Sequence, residues 1–363
     1  MMRHITRAAL ALILLAIILT NPVLSQADSG TEYTFPQEKS FSLPSGALIS
    51  VQNTRGDINI QGGEQKQVVV KATKRVQAGS RKEAEEWAQK VNIIFDEREK
   101  GLFIEAKIPR AWSESLGDVL SKLLGKKPSV QVDFDIQTPR QVEVKAGCVS
   151  GDIYIVNIDG EVTVDVVSGG VKIEKIGGDL SIDAVSGDML AQDVLGNLKI
   201  DATSGDAEIV NIGADVQVDV TSGDVIGKGI KGNLTIDGTS GDVNVEAVHG
   251  DVHIDVTSGD ITVKQRGGDL WIDTSSGDVW VETAIEKNGR YRVDTSSGQI
   301  TFRIPKSSSC TLDLETSGGR IRAKLPTTIE SVSRTRLRGT MGDGGAQLNL
   351  STSGGNIDLL PSD

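Results

Sequence analysis

From residue 150 onward, short stretches of alternating apolar and polar residues recur at a fixed distance. Ser-Gly pairs begin at Ser150, Ser168, Ser186, Ser204, Ser222, Ser240, Ser258 and Ser276, each 18 residues after the one before. Later pairs at Ser297, Ser317 and Ser353 follow at intervals of 21, 20 and 36, so the period loosens towards the C-terminus. The unit from Ser240 to Thr257 divides into two halves of nine residues. Each half is a Gly-Asp turn followed by alternation: Gly241-Asp242-Val243-Asn244-Val245, then Gly250-Asp251-Val252-His253-Ile254. Alternation with period two makes a strand with one buried face. Glycine supplies positive φ at a turn, and aspartate bonds back to nearby backbone N–H groups.

The apolar positions form columns. One is Ile153, Val171, Met189, Ala207, Val225, Val243, Ile261 and Val279; another is Val164, Ile182, Ile200, Val218, Ile236, Ile254 and Ile272. Stacking at this spacing sets each residue on its counterpart in the next coil, with strands paired in parallel ~4.8 Å apart. The expected fold is all-β: a parallel β-solenoid (β-helix) of 18-residue coils with two or three short strands each. The crossover preference of parallel strands predicts a right-handed coil. A propeller blade needs ~40 residues. Left-handed hexapeptide solenoids divide 18 into three sixes, whereas here it divides into two nines.

The N-terminal part follows another pattern. Arg3 and Arg7 precede an apolar run from Ala8 to Leu19, which Asn21-Pro22 breaks before Ser25-Gln26-Ala27. This predicts a secretory signal peptide over 1–27, cleaved after Ala27. The rival reading is an uncleaved anchor, but the apolar run falls short of the ~20 residues needed to span a bilayer. No later segment could cross as a helix. Export to the periplasm, the cell surface or the medium follows. Residues 28–48 read as a loose polar segment. Residues 49–145 read as a capping region of strands with two helices, at about 80–92 with Ser80 as cap and at 112–124. Within it, Gly56-Asp57-Ile58-Asn59-Ile60 marks an irregular early coil, and Ile93–Phe95 with Leu102–Ala106 a hairpin. The solenoid repeats proper are placed at 146–363. The second helix, with Leu116, Val119, Leu120, Leu123 and Leu124 on one face, is expected to cover the end of the solenoid, where strand edges would otherwise be open. Its alternative role is to bind a partner or a membrane surface.

A signal peptide, an early Gly-Asp-Ile coil, a short helix and tandem Ser-Gly-Asp strands resemble a bacterial adhesin-like, β-strand-repeat family of unknown function. The likeness covers about residues 45–360 and speaks more to fold than to activity. It implies a place in the cell envelope or on the surface and a role in adhesion, with some relatives associated with envelope stress signalling. It supplies no catalytic residues. Residues 111–127 and 326–348 depart from the pattern.

Charge and chemistry narrow the function. The 363 residues carry 38 basic and 50 acidic groups, a net −12, and aromatics are only 4%. Loss of the leader removes two arginines and no acid. No basic run interleaved with aromatics is present, which excludes nucleic acid as a partner. Two acidic columns recur every 18 residues: Asp165 to Asp273 on the strands, and Asp188, Asp206, Asp224, Asp242, Asp260 and Asp278 after the turn glycines. The second column is the candidate metal site. Neighbouring carboxylates repel, and Ca²⁺ favours oxygen ligands. The Gly-Gly-x-Gly-x-Asp repeat of calcium β-rolls is absent, and turn capping explains the column as well. Trp271, Trp280 and His253 fall at outward positions and are candidate ligand contacts, for a surface glycan above all. Thr203, Thr221, Thr239 and Thr257 form a single ladder, not the paired columns of an ice-binding face. Arg55-Gly56-Asp57 sits where the repeat puts a Gly-Asp turn. Cys148 and Cys310 lie too many coils apart for a disulfide and are expected to be free, shielded thiols.

The expected function is therefore an exported, non-enzymatic interaction or structural protein with no catalytic residues, binding an envelope protein or a surface glycan. The alternatives are an envelope stress scaffold or sensor that binds a membrane protein, and a polysaccharide lyase or hydrolase. The coils over 150–278 have constant length, so no insertion there could wall a cleft for paired acids.

Overall fold

A computed structural model describes residues 31–108 and 128–362. The leader expected at 1–27 and the helix expected at 112–124 lie outside them. Among the described residues the strands form two long sheets, one of 15 strands (the front sheet) and one of 16 (the back sheet). Each regular coil gives one strand to each sheet, so the coil has two strands. Leu198–Ser204 lies in the back sheet, a Ser-Gly-Asp corner follows, and Ala207–Ile212 lies in the front sheet. The pairing is parallel and in register over 18 residues. Ile200 sits between Ile182 and Val218, and Ala207 between Met189 and Val225. Both apolar columns face the space between the sheets and are buried along their length. The second corner turns through a left-handed residue at φ +56° to +74°, namely Asn157, Lys175, Asp193, Asn211, Gly229 and Ala247.

The coils begin earlier than the repeat suggests. Strands Ala47–Arg55 and Ile58–Gly63 pair in parallel with Val142–Ser150 and Ile153–Ile158. The solenoid therefore starts at Ala47 rather than at 146, and residues 64–141 are an insertion after its first coil. The insertion extends both sheets past that coil with strands of its own. Ser129–Pro139 joins the front sheet in parallel with Ile58–Gly63, and Val68–Ala78 follows antiparallel. Gly101–Lys107 and Asn92–Arg98 extend the back sheet as the expected hairpin.

The loose segment expected at 28–48 is corrected in part. Thr31–Phe41 is an 11-residue strand, antiparallel to Val68–Ala78. Its polar composition hides an alternation in which Tyr33, Phe35 and Phe41 pack against the core. Pro36 interrupts the donors of this edge strand, a common guard against edge-to-edge association.

The helix spans Arg81–Lys90. Ser80 Oγ accepts from Glu83 N at 3.3 Å, and Glu83 reaches back to Gly79 N at 3.1 Å. The helix buries Ala84 and Ala88. Lys74 Nζ donates to the carbonyls of Ala88 and Val91, so the strand beneath it holds the C-terminal end.

The C-terminal coils are out of chain order. Cys310–Thr316 and Ile321–Ala323 form an outer coil. The final pair, Ala346–Thr352 and Ile357–Pro361, wedges between it and the coil at 290–304. This is why the Ser-Gly spacing breaks. The irregular stretch 326–348 contains an antiparallel hairpin, Thr328–Val332 with Arg336–Met341, that covers the back-sheet edge of the outer coil. Arg336 and Arg338 both reach Asp313 on that coil, and Arg336 holds the Asp313 carboxyl below its ordinary range.

Candidate functional site

The six candidate cation ligands stand in one exposed column beside the Ser-Gly-Asp corner. Oδ1 of Asp188 accepts from the backbone N of Asp206 at 3.1 Å, and Asp206 from Asp224 N at 2.9 Å. Asp224, Asp242, Asp260 and Asp278 each take the next coil's N–H at 2.8 Å, the last from Gln299. Each carboxylate thus satisfies a donor that the strand ladder leaves over, through a charge-assisted bond. Among the described residues no group of three or more His, Cys, Asp or Glu is arranged to hold a metal ion.

The ladder runs below Asp188 as well. Asp133 caps Asp57 N, Asp57 caps Asp152 N, and Asp152 caps Gly170 N. There it breaks. Ser168-Gly169-Gly170 has glycine where the other Ser-Gly corners between Ser150 and Asp278 have aspartate, so no carboxylate from that coil reaches Asp188 N–H. The Arg55-Gly56-Asp57 tripeptide is part of this ladder, with its aspartate committed to Asp152 N.

A second ladder at the other corner escaped the sequence reading. Asp179, Asn197, Asp215, Asn233, Asp251 and Asp269 each cap the next coil's N–H, the last at Arg290. Alternating Asp with Asn at the start leaves Asp251 and Asp269 as the one neighbouring carboxylate pair among these six. The signal was the second turn of each 18-residue unit, as at Gly178-Asp179, Gly196-Asn197 and Gly250-Asp251, visible once the unit is divided into nines. The strand column Asp165 to Asp273 is separate. It points outward from the back sheet, and at its end burial, with Asp294 and Asp255 beside it, raises the Asp273 carboxyl.

The aromatic candidates fall on two faces. His253 and Trp271 are register neighbours on the back sheet, with ring centroids 3.8 Å apart. Arg292 follows Trp271, and a hollow of about 490 Å³ opens beside them, edged by Asp251, Asp269 and Arg290. Trp280 is on the front sheet between Thr262 and Thr301, with Lys264 Nζ 6.0 Å from its ring. No single ligand can use both tryptophans on one face. The threonine ladder continues a column whose first members, Val149, Val167 and Val185, are about half exposed.

A larger groove, about 800 Å³, lies on the front sheet at the ladder break. Its floor is the outward column Tyr154, Lys172, Leu190, Glu208 and Ile226, successive neighbours in register. Its wall is the corner with Asp152, Gly170, Asp188 and Asp206. Tyr154 is fixed by a 3.0 Å bond from its hydroxyl to Glu174, and Lys172 Nζ reaches the same carboxylate at 3.2 Å. No single residue here is unusual, and so nothing in the order of residues marks the groove.

Cys148 and Cys310 are free and buried, as expected from their separation. Burial pushes each thiol up to about 11. The thiolate is the reactive form. Both cysteines are therefore expected to resist a thiol-specific chromogenic reagent in the native protein at pH 8, and to react at once in denaturant. Rapid native labelling would contradict the packing around them.

Residues 213–360 match the Toastrack DUF4097 family. That stretch, which is similar to this domain family of unknown function, takes in the later regular coils and the rearranged C-terminal ones. No functionally curated protein matches the chain. Among solved structures, a "putative adhesin" from Parabacteroides merdae is 13% identical, with 90% of this chain and 96% of that one covered and a TM-score of 0.30. A "putative lipid binding protein" from Parabacteroides distasonis is 10% identical, with 90% and 97% covered and a TM-score of 0.31. A "putative cell adhesion protein" from Clostridium sporogenes is 12% identical, with 90% and 100% covered and a TM-score of 0.21. Among the described residues no helix is long and apolar enough to cross a membrane.

Proposed function

We propose that the chain is an exported, non-enzymatic β-solenoid that serves as an adhesin-like interaction rod of the cell envelope or cell surface. The observation that carries this reading is the strict register of its outward columns. Each outward side chain lies beside its counterpart in the next coil, as in the self-complementary row Lys228, Glu246, Lys264, Glu282 and Arg303. Such a face offers repeated, individually weak contacts on a rigid support, and repetition converts weak contacts into avidity. The aspartates of the two corner columns are committed as acceptors of backbone N–H groups, as Asp188 is to Asp206 N and Asp179 to Asn197 N. The signal-peptide pattern at residues 1–27 supports export.

The test is protease treatment of intact cells carrying a tagged chain, with lysed cells as control. Digestion on intact cells is expected. Protection until lysis would overturn surface display and favour the envelope-scaffold reading, with a membrane protein as partner.

A further inference from the structure

We infer that the front-sheet groove at the ladder break binds a neutral oligosaccharide lying along the solenoid axis. The inference adds a ligand class to the interaction-rod reading and rests on it only in that respect. The groove, about 800 Å³, lies within the size range of small-molecule sites. Its floor presents one outward position per coil, with differing side chains, so a ligand with its own repeat can place successive units over successive strands.

The wall selects the chemistry. At Gly170 the Asp188 N–H lacks the carboxylate that caps its counterparts in the ladder. The carboxylates of Asp152 and Asp188 flank the same gap. A methyl placed on Gly170 would meet nothing nearer than Asp152 Oδ1 at 3.5 Å, so the gap has room for an incoming group. That group must accept from one donor and donate to flanking acceptors. A hydroxyl does both. An ammonium cannot accept, and a carboxylate cannot donate. An anion would also face Asp152, Asp188, Asp206 and Glu208, against Lys172 alone, which Glu174 already engages. The floor completes the match. The held ring of Tyr154, with Leu190 and the half-exposed Ile226, offers apolar surface for the C–H faces of a pyranose.

The test is titration calorimetry on the purified chain without its leader. The neutral probes are cellohexaose, maltohexaose, mannohexaose and N-acetylchitohexaose; hexagalacturonate and the chitosan hexamer are the anionic and cationic comparisons. At least one neutral probe is expected to bind with Kd of about 1 mM or tighter. Gly170→Asp puts a carboxylate into the gap and restores the cap on Asp188 N–H. It is expected to weaken that probe by about tenfold or more while leaving the melting midpoint unchanged or higher. A loss of affinity therefore cannot be put down to misfolding. Tyr154→Ala is expected to weaken the same probe through the floor. The inference is overturned if no neutral probe binds, if a charged hexamer binds more tightly, or if Gly170→Asp retains wild-type affinity. Surface display together with any of these results would leave the interaction rod standing and remove the sugar from the groove.

Discussion

Gly169→Ala is expected to destabilise the protein by about 3 kcal/mol or more, while Gly170→Ala, one residue along, changes stability by less than about 1 kcal/mol. The two glycines differ in both quantities that matter. Gly169 has φ +147°, a conformation closed to L side chains, and its added methyl would lie 2.1 Å from the Gly151 carbonyl oxygen. That oxygen cannot retreat. Its own strand is pinned by Gly151 N donating to Ser168 O, and Gly169 N in turn donates to Ser186 O. The same approach recurs at Gly187, Gly205, Gly223, Gly241, Gly259 and Gly277, where an added methyl would lie about 2 Å from the carbonyl oxygen of the glycine in the coil before. The glycine column sets how closely the coils stack at this corner. Gly170 has ordinary φ and open space, and it stands where the repeat tolerates aspartate. Equilibrium denaturation of the two variants measures the contrast directly. Equal midpoints would mean that the corner relaxes freely, and the steric account of the Ser-Gly repeat would fail. Because a repeat array can lose one coil locally, amide exchange in coils 150–204 should be followed alongside the global transition.

That corner also shows why the fold was so legible. The solenoid imposes one constraint per coil at the same place, so glycine, aspartate and β-branched residues recur where backbone conformation, capping and core packing demand them. The period of 18 and both inner columns could be read by comparing successive units, and the expected two or three strands per coil resolve to two. The ends could not be read this way, because there the constraint is met once. Thr31–Phe41 looked loose since only Tyr33, Phe35 and Phe41 mark its buried side. Ala346–Pro361 carries a normal coil sequence, but nothing in it says that it inserts ahead of Cys310–Ala323. Candidate sites fared differently again. The Asp188 to Asp278 column was visible and turn capping was one reading of it, but that each carboxylate caps the N–H of the next coil has no letter in the sequence. His253 and Trp271 come together because they are 18 apart, whereas Trp280 is nine residues from Trp271 and so falls on the opposite face. The groove depends on an absence at Gly170, which is conspicuous only against the filled rungs around it.

Tyr291→Ala is expected to cost about 3–5 kcal/mol, and Tyr291→Phe about 1–3 kcal/mol. This tyrosine lies in the first irregular coil, where the Ser-Gly interval lengthens to 21. The extra residues form the turn at 284–289, and Tyr291 fixes them. Its side chain is fully buried in the column of Leu270 and Leu348, edge-on to Phe302 with centroids 6.5 Å apart. Its hydroxyl donates to Ala284 O at 3.2 Å and accepts from Glu286 N at 2.8 Å. Gly289 leaves the ring its room, since a methyl there would lie 2.8 Å from the hydroxyl. Alanine removes the ring from a packed column; phenylalanine keeps the ring and strands the two loop groups. Burial raises the phenol above its ordinary pKa of about 10. The unfolded chain therefore loses this proton first as pH rises, and the folded state loses stability from about pH 10 upward through the raised value. Tyr291→Phe should flatten that alkaline limb, and denaturation across pH 8–11 would show it. If phenylalanine proved as costly as alanine, the hydroxyl rather than the ring would be the anchor. If it proved neutral, the turn at 284–289 would be holding itself.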